Sequence, residues 1–357
     1  MKTMSKAIEK VTSGEGLETD LAREAMDKLM SGDAAETNIG ALLAGLKAKG
    51  ESPGEIAAFA ETMRQKAVRI DPKVDGELMD MCGTGGASVK TFNISTISTF
   101  VVAGAGYPVA KHGNRSNTSR SGSADLLEAL GVNLDADPGM VERSIEETGL
   151  GFLYAPNHHP AMKHAAGPRS ELGIRTVFNL LGPLTNPASA DRHLMGVYEP
   201  ELVEKFPFVL KKLGVSRALV VHGEPGMDEI STAGRTYVGE LGNGEIDHYE
   251  IKPRDFGLPE VEPSAVGDLP PEESARLTLE VLSGENTGKR RDIVLLNAGA
   301  GIYVAGGADS IGEGIEVARK TIYSGRGYRA ARELVAMAGN EEKFKDLERE
   351  VPGTKTR

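Results

Sequence analysis

Residues 77–105 read ELMDMCGTGGASVKTFNISTISTFVVAGA, and a change of period inside them decides the fold. Glu77 to Met81 reads as a short strand. It ends in the loop Gly83-Thr84-Gly85-Gly86, and the pattern predicts a helix from about Ile94 to Ala105. Downstream, Pro108–Lys111 reads as the next strand and Ser123–Leu130 as the next helix, stopped by Gly131. Ala218–Val221 and Ile293–Leu296 are short apolar runs followed by Gly-rich turns, and both read as strands. Apolar strands alternating with glycine loops and helices indicate an α/β fold with a mostly parallel sheet buried on both faces. Upstream the pattern differs, with no strand signal before residue 70. Thr19–Met30 places Leu21, Ala25, Met26, Leu29 and Met30 on one helical face and stops at Gly32; Thr37–Lys49 carries Ile39, Leu42, Leu43 and Leu46 and stops at Gly50. Ser52-Pro53-Gly54-Glu55 is an N-cap, a first-turn proline and a capping box, opening a helix that runs to about Val68. The expected architecture is a small all-helical N-terminal domain followed by a larger α/β domain with a mostly parallel central sheet.

The chain has 357 residues, a length that favours two domains. Its 41 Lys and Arg against 52 Asp and Glu leave a net charge of −11, which argues against a general nucleic-acid binder. The single cysteine, Cys82, excludes a disulfide framework and a cysteine-based zinc site, and suits a reducing compartment. There is no apolar run long enough to cross a membrane, and MKTMSKAIEKVTSGEG at the start lacks a signal core, so a cytoplasmic location is expected. The 44 glycines exceed the usual share and cluster in short loops. Asp255–Glu272, rich in Pro, Glu and Asp, reads as a surface excursion, and EEKFKDLERE after Asn340 as a solvated helix or frayed end.

Five segments carry chemistry. In the first, Gly83, Gly85 and Gly86 let backbone N–H groups approach an anion, and Asn93, Ser95 and Thr96 sit where a helix begins and favours phosphate. It is neither a Walker A loop nor a GxGxxG fingerprint, and a tight strand-to-helix turn would read the same way. The second, Lys111 to Asp125, packs Lys111, Arg115 and Arg120 among Asn and hydroxyl residues directly after a strand, where α/β sheets bind ligands. The third, Tyr154 to His164 followed by Arg169, holds adjacent His158 and His159, which point apart on any regular element and do not share one metal. The fourth, Arg175 to Pro187, reads as a helix ending in a rigid turn. The fifth, Val221 to Ser231, places Asp228 beside Glu229 on a loop, as either a charged turn or an oxygen-donor site for Mg²⁺. Together they suggest a magnesium-bound polyphosphate and a second, anionic substrate.

The runs CGTGG…TFNIST (82–96), KHGNR…SGSADLLEALG (111–131), HPAMKHAAGPRSELGIRTVFNLLGPLTNPA (159–188) and HGEPGMDEIS (222–231) resemble the anthranilate phosphoribosyltransferase family, in its order and spacing, from the N-terminal helices to about residue 335. The resemblance implies a helical domain of residues 1–70 completed by about 168–190, and an α/β domain of 71–357 interrupted by that segment. It implies a pentosyl transfer in tryptophan biosynthesis: the amine of anthranilate attacks the ribose C1 of phosphoribosyl pyrophosphate, giving N-(5-phosphoribosyl)anthranilate and pyrophosphate. Two Mg²⁺ ions would accompany the donor. Gly83, Thr84, Gly85, Gly86, Thr91, Asn93, Ser95, Thr96, Lys111 and Ser123 would bind phosphoribosyl pyrophosphate. Ser95 would touch one metal ion, and Asp228 and Glu229 would hold the second. Gly83, His112, Asn114, His159 and Arg169 would take anthranilate, with Arg169 on its carboxylate. No acid–base residue is assigned; Lys111 and the metal would stabilise charge. His158 has no assigned role. The family is usually homodimeric through the helical domain, so a dimer is expected, with no nucleic acid and no membrane as partner. One difference stands out. The family loop reads GTGGDG, whereas this chain has Ala87-Ser88 after the glycines, with Ser88 a partial substitute for the acid. Pyrimidine nucleoside phosphorylases have a similar fold, but phosphorolysis needs no magnesium site such as Asp228-Glu229. A nucleic-acid-binding relative using Lys111–Arg120 is opposed by the charge of −11.

Overall fold

The computed structural model describes residues 2–116 and 119–351, so Asn117 and Thr118 of the second segment and the last six residues of the tail lie outside the described residues. Four helices come first: α1 (Lys2–Thr12), α2 (Thr19–Met30), α3 (Glu36–Lys49) and α4 (Pro53–Lys66). The capping box of α4 forms as its sequence predicts. Ser52 Oγ accepts from Glu55 N at 3.2 Å, and Ser52 N donates to the Glu55 carboxylate at 2.8 Å. That carboxylate also takes Lys49 Nζ and Leu17 N, so one buried acid pins three segments of the bundle.

The sheet has seven strands: β1 (Met79–Gly83), β2 (Val109–Gly113), β3 (Leu150–Tyr154), β4 (Arg192–Gly196), β5 (Arg217–Gly223), β6 (Thr236–Gly242) and β7 (Glu245–Ile251). Their order is β3-β2-β1-β4-β5-β6-β7. The first five run parallel, and β6 and β7 join antiparallel at one edge. The parallel strands are buried almost throughout, as sheets covered on both faces must be, whereas edge strand β7 is mostly exposed. The chain leaves β1 for β2 on one side and later returns to β4 on the other, so the strand order reverses at β1. Crevices at such a reversal, above the carboxyl ends of the strands, are where open α/β sheets bind ligands.

Alternation along the strands separates two cores. Met79, Met81, Leu194, Leu219 and Val221 join one cluster with the helices Ile94–Gly104 (α5) and Ser123–Leu130 (α6). Met195, Ala218 and Val220 face the other side, in a cluster continuous with α1–α4 and with Ala165, Val177, Phe178, Leu180, Leu181 and Leu184. The segment around residues 163–184 therefore packs against the helical bundle while its ends connect to the sheet.

Ile293–Leu296 is not a strand. It lies in a helix, Lys289–Val304, that is buried on nearly every side. A short apolar run carries no period of its own, and here burial all round erased the helical stripe. Asp255–Glu272 is also more than a surface excursion. Leu258, Val261 and Val266 are buried, and Phe92 N donates to the Val266 carbonyl at 3.3 Å, so the segment braces residues 90–92. The charged tail forms the helix Glu341–Glu350, with Phe344 buried. Among the described residues no helix is long and apolar enough to cross a membrane.

Candidate active site

Every residue assigned to substrate or metal from the sequence lines one cavity of about 830 Å³, whereas Arg120 does not. The carboxyl ends of β1, β2 and β5 supply one wall, and Met63, Met162, Arg169 and Phe178 from the bundle side supply the other.

β1 delivers the glycine loop. Gly85 and Gly86 have φ of +66° and +77°, a region where side chains are strained, and a Cβ on Gly83 would stand 3.0 Å from Asp228 Oδ2. Thr84 anchors the loop to β4: its N donates to the Gly196 carbonyl at 2.9 Å, and its Oγ1 accepts from Tyr198 N at 3.1 Å. Ala87 is buried. The Ser88 hydroxyl does not line the cavity in place of the family's acid: it donates to the Gly226 carbonyl at 3.3 Å, tying the glycine loop to the carboxylate loop.

Asn93 precedes α5 without capping it through its side chain. Its Nδ2 donates to the Ser121 carbonyl at 3.2 Å, and its Oδ1 is buried without a partner. Ser95 and Thr96 lie in the first turn of α5, and Ser123 opens α6. Both helix starts reach the cavity, where the helix dipole favours an anion, although Ser95 N already donates to Glu229 and Ala124 N to the Asn114 carbonyl. Thr91 pairs with Gly267 in an isolated bridge at the rim. Asn114 folds back, its Oδ1 accepting from Arg115 N at 2.8 Å.

The electrostatics divide. Asp228 and Glu229 are half-buried against the cavity, and desolvation pushes both carboxyls up, Glu229 to about 8 with Asp228 adding repulsion. Glu229 Oε1 accepts from Ser95 N at 3.1 Å. Lys111 is buried beside them, donating to the Met81 carbonyl and, at 3.4 Å, to Ser95 Oγ. Desolvation lowers its affinity for the proton, opposed by Asp80, Cys82 and Glu229. One lysine near two half-buried acids leaves an oxygen-donor set short of positive charge, and that set fits a divalent cation of the Mg²⁺ type.

On the bundle side, the His112 and His159 rings stand 5.2 Å apart between centroids. His112 Nδ1 meets the Gly182 carbonyl at 3.2 Å, and its Nε2 is buried without a partner. Burial holds His112 well below the ordinary imidazole range and His159 at about 4. Both are neutral at pH 7. His158 turns away instead, its Nδ1 bonded to the Val68 carbonyl at 2.8 Å, so the two adjacent histidines do not meet. Arg169 lies in the helix Lys163–Leu172, 5.0 Å above the Phe178 ring, with no carboxylate in ion-pair range among the described residues. Burial depresses its pKa. A partly desolvated guanidinium without an acid is a receptor for a planar carboxylate.

Two buried neutral imidazoles have a consequence for pH. The unfolded chain protonates a histidine near 6.5, whereas the fold resists until about pH 4 at His159. Their effect on stability is nil above pH 6.5 and grows as pH falls, at ~1.4 kcal/mol per pH unit for each such group. Thermal melts of the unliganded chain should show falling stability from pH 6.5 toward 4, and His159→Gln should flatten that slope. An unchanged slope would mean His159 titrates normally.

The sequence passed over three groups at this site: Arg175, Tyr198 and Asn297. Arg175 donates to the Gly86 carbonyl at 2.6 Å and lies 4.1 Å over the Tyr198 ring, locking the glycine loop to the turn after the Lys163–Leu172 helix. Asn297 is fully buried and clamps the carboxylate loop, its Oδ1 taking Ile230 N and its Nδ2 donating to the Ile230 carbonyl, each at 2.9 Å. A polar residue inside an apolar run was the available signal for Asn297; Arg175 was visible as a second arginine six residues after Arg169.

The helical bundle domain of the glycosyl transferase family matches residues 5–67, and its a/b domain matches residues 75–328, so the chain belongs to that family. A curated anthranilate phosphoribosyltransferase from Natronomonas pharaonis is 52% identical over 322 residues, covering 90% of this chain and 96% of its own. The crystal structure of anthranilate phosphoribosyltransferase from Thermus thermophilus is 46% identical, with a TM-score of 0.88 over 93% of this chain and 98% of that one. The Saccharomyces cerevisiae anthranilate phosphoribosyltransferase, solved in complex with PRPP and Mg, is 28% identical with a TM-score of 0.84, covering 98% and 99%. Within the glycosyl transferases, the chain is a member of the anthranilate phosphoribosyltransferase family.

Proposed function

We propose that the chain transfers the 5-phosphoribosyl group of phosphoribosyl pyrophosphate to the amine of anthranilate, releasing pyrophosphate, as a step of tryptophan biosynthesis. The observation that carries this reading is one cavity with two unlike halves. Two half-buried, desolvated carboxyl groups with Lys111 and glycine-loop N–H groups form one half; an acid-free guanidinium and two neutral imidazoles form the other.

On the donor side, Gly83, Thr84, Gly85, Gly86, Thr91, Asn93, Thr96 and Ser123 bind phosphate and ribose through N–H and hydroxyl groups. Lys111 neutralises phosphate charge. Ser95 touches one magnesium ion, and Asp228 with Glu229 holds a second; the yeast relative was solved with PRPP and Mg. When bound, Mg²⁺ supplies positive charge where the leaving pyrophosphate gathers negative charge. On the acceptor side, Arg169 pairs with the carboxylate of anthranilate, while Gly83, Asn114, His112 and His159 enclose its ring. Neutral histidines suit this step. An aromatic amine already carries its lone pair, so the site positions it and stabilises charge without a strong base.

The same reading divides the chain into a helical domain of 1–70 completed by about 168–190 and an α/β domain of 71–357. It takes the protein as a cytoplasmic homodimer joined through the helical domain, where the half-exposed Val68, continued by Phe208 on the adjoining α/β-domain helix Glu201–Lys212 packed against α4, offers apolar surface.

The test is the loss of anthranilate fluorescence on mixing with phosphoribosyl pyrophosphate across a magnesium titration. Magnesium-dependent turnover is expected. Turnover only with a nucleoside and inorganic phosphate would overturn the reading in favour of a phosphorylase.

A further inference from the structure

At the base of the cavity lies a second polar cluster, to which the proposed transfer assigns no role. β1 and β4 are parallel neighbours in the register Asp80↔His193 and Cys82↔Met195. Side chains two apart on a strand share a face, so Asp80 and Cys82 project beside His193. One donor atom from each of the three lies within 4.8 Å of the other two. Asp80 and His193 are fully buried, and Cys82 is 8% exposed.

The bonding within this cluster is unequal. The Asp80 carboxylate accepts from His112 N at 3.2 Å, Asn186 Nδ2 at 2.8 Å and the Cys82 thiol at 3.2 Å. His193 is the anomaly. Neither ring nitrogen completes a hydrogen bond of good geometry, although the Ala190 carbonyl lies near enough to favour its protonated form. An enclosed imidazole with no well-formed hydrogen bond forfeits most of its hydration, and an apolar residue would fill the same space without that cost. A ring nitrogen within 4.8 Å of a thiol and a carboxylate oxygen is what a metal ligand offers.

We propose that Asp80, Cys82 and His193 form a binding site for one thiophilic divalent cation of the Zn²⁺ type, separate from Asp228 and Glu229. Sulfur, imidazole nitrogen and one carboxylate oxygen are a zinc donor set, whereas Mg²⁺ selects oxygens. Tetrahedral zinc keeps its ligand atoms about 3.3–3.8 Å apart, so closing the triad takes shifts of about 1 Å. Binding exchanges one proton for the metal: the Cys82 thiol loses H⁺, and the metal takes a thiolate, a carboxylate and a neutral imidazole. The cluster then goes from a charge of −1 to zero. Cys82 lines the large cavity, which supplies an entry path and room for water as fourth ligand. Counting cysteines argued against a thiolate zinc site. A single thiolate suffices once neighbouring strands add nitrogen and oxygen.

The test uses the full chain and Co²⁺ as a spectroscopic probe, with Mg²⁺ in excess to occupy oxygen-donor sites. Cys82 is the chain's sole thiol, so any thiolate-to-cobalt charge-transfer absorption reports this site alone. The expected result is one equivalent of cobalt bound with that absorption and displaced by Zn²⁺. His193→Gln and Cys82→Ser should each lose it, and Asp228→Asn should keep it. No charge-transfer absorption in the parent chain overturns the proposal without recourse to any variant. So does absorption that survives His193→Gln or disappears in Asp228→Asn. Failure of anthranilate turnover leaves this test unaffected, because cobalt binding is read without substrate.

Discussion

Glu229→Gln is expected to lower kcat/KM for phosphoribosyl pyrophosphate by about 100-fold or more and to shift the magnesium titration to higher concentration. Removing one preorganised electrostatic partner of a transition state commonly costs about 10²–10³ in rate. Here the loss falls on the group that would hold the cation. The substitution keeps the shape of the side chain, and the Gln oxygen can still accept from Ser95 N, as Glu229 does at 3.1 Å. What disappears is charge. Burial already pushes the Glu229 carboxyl up to about 8, so the unliganded fold gains little from its ionised form. Without magnesium, the variant should therefore melt no lower than the parent. The two readouts separate a metal ligand from a structural acid. Reduced stability with an unchanged magnesium titration would place Glu229 in the scaffold and remove it from the donor site.

Much of this arrangement could be read from the sequence, for reasons that lie in particular residues. The helix starting at Ser52 was legible because capping is local: Ser52, Pro53 and Glu55 act within one turn. The strand–glycine–helix unit from Met79 to Gly104 was legible because apolar period and glycines change together. Ile293–Leu296 misled because a helix enclosed on all sides loses its polar stripe, and four apolar residues fit either element. Asn297 followed from that error, since its clamp on Ile230 exists only if the run is helical. Arg175 stands out in the sequence as a second arginine after Arg169, but its pairing with Tyr198 was unreadable for another reason. Their contact joins the turn before Phe178 to the end of β4, and only the tertiary fold sets that distance. The Asp80–His193 pairing is likewise a matter of strand register, which no local pattern between residues 80 and 193 specifies.

Arg169→Ala should raise the KM for anthranilate by about 30-fold or more while changing that for phosphoribosyl pyrophosphate far less. Truncating one partner of a buried, hydrogen-bonded charge pair costs about 2–5 kcal/mol, much of it from leaving the other charge unpaired. In this cavity the stranded charge would be the anthranilate carboxylate. The guanidinium suits the role because burial has already removed part of its water and no acid among the described residues occupies it. Phe178, 5.0 Å beneath it, limits the directions in which the fork can point. Arg169→Lys should recover only part of the loss, since an ammonium keeps the charge but not the bidentate geometry. Aniline, which lacks the carboxylate, supplies the control. If Arg169 acts on that group, parent and Arg169→Ala should use aniline equally poorly. Equal rises in both KM values for the natural substrates would instead assign Arg169 to the packing between the bundle and the sheet.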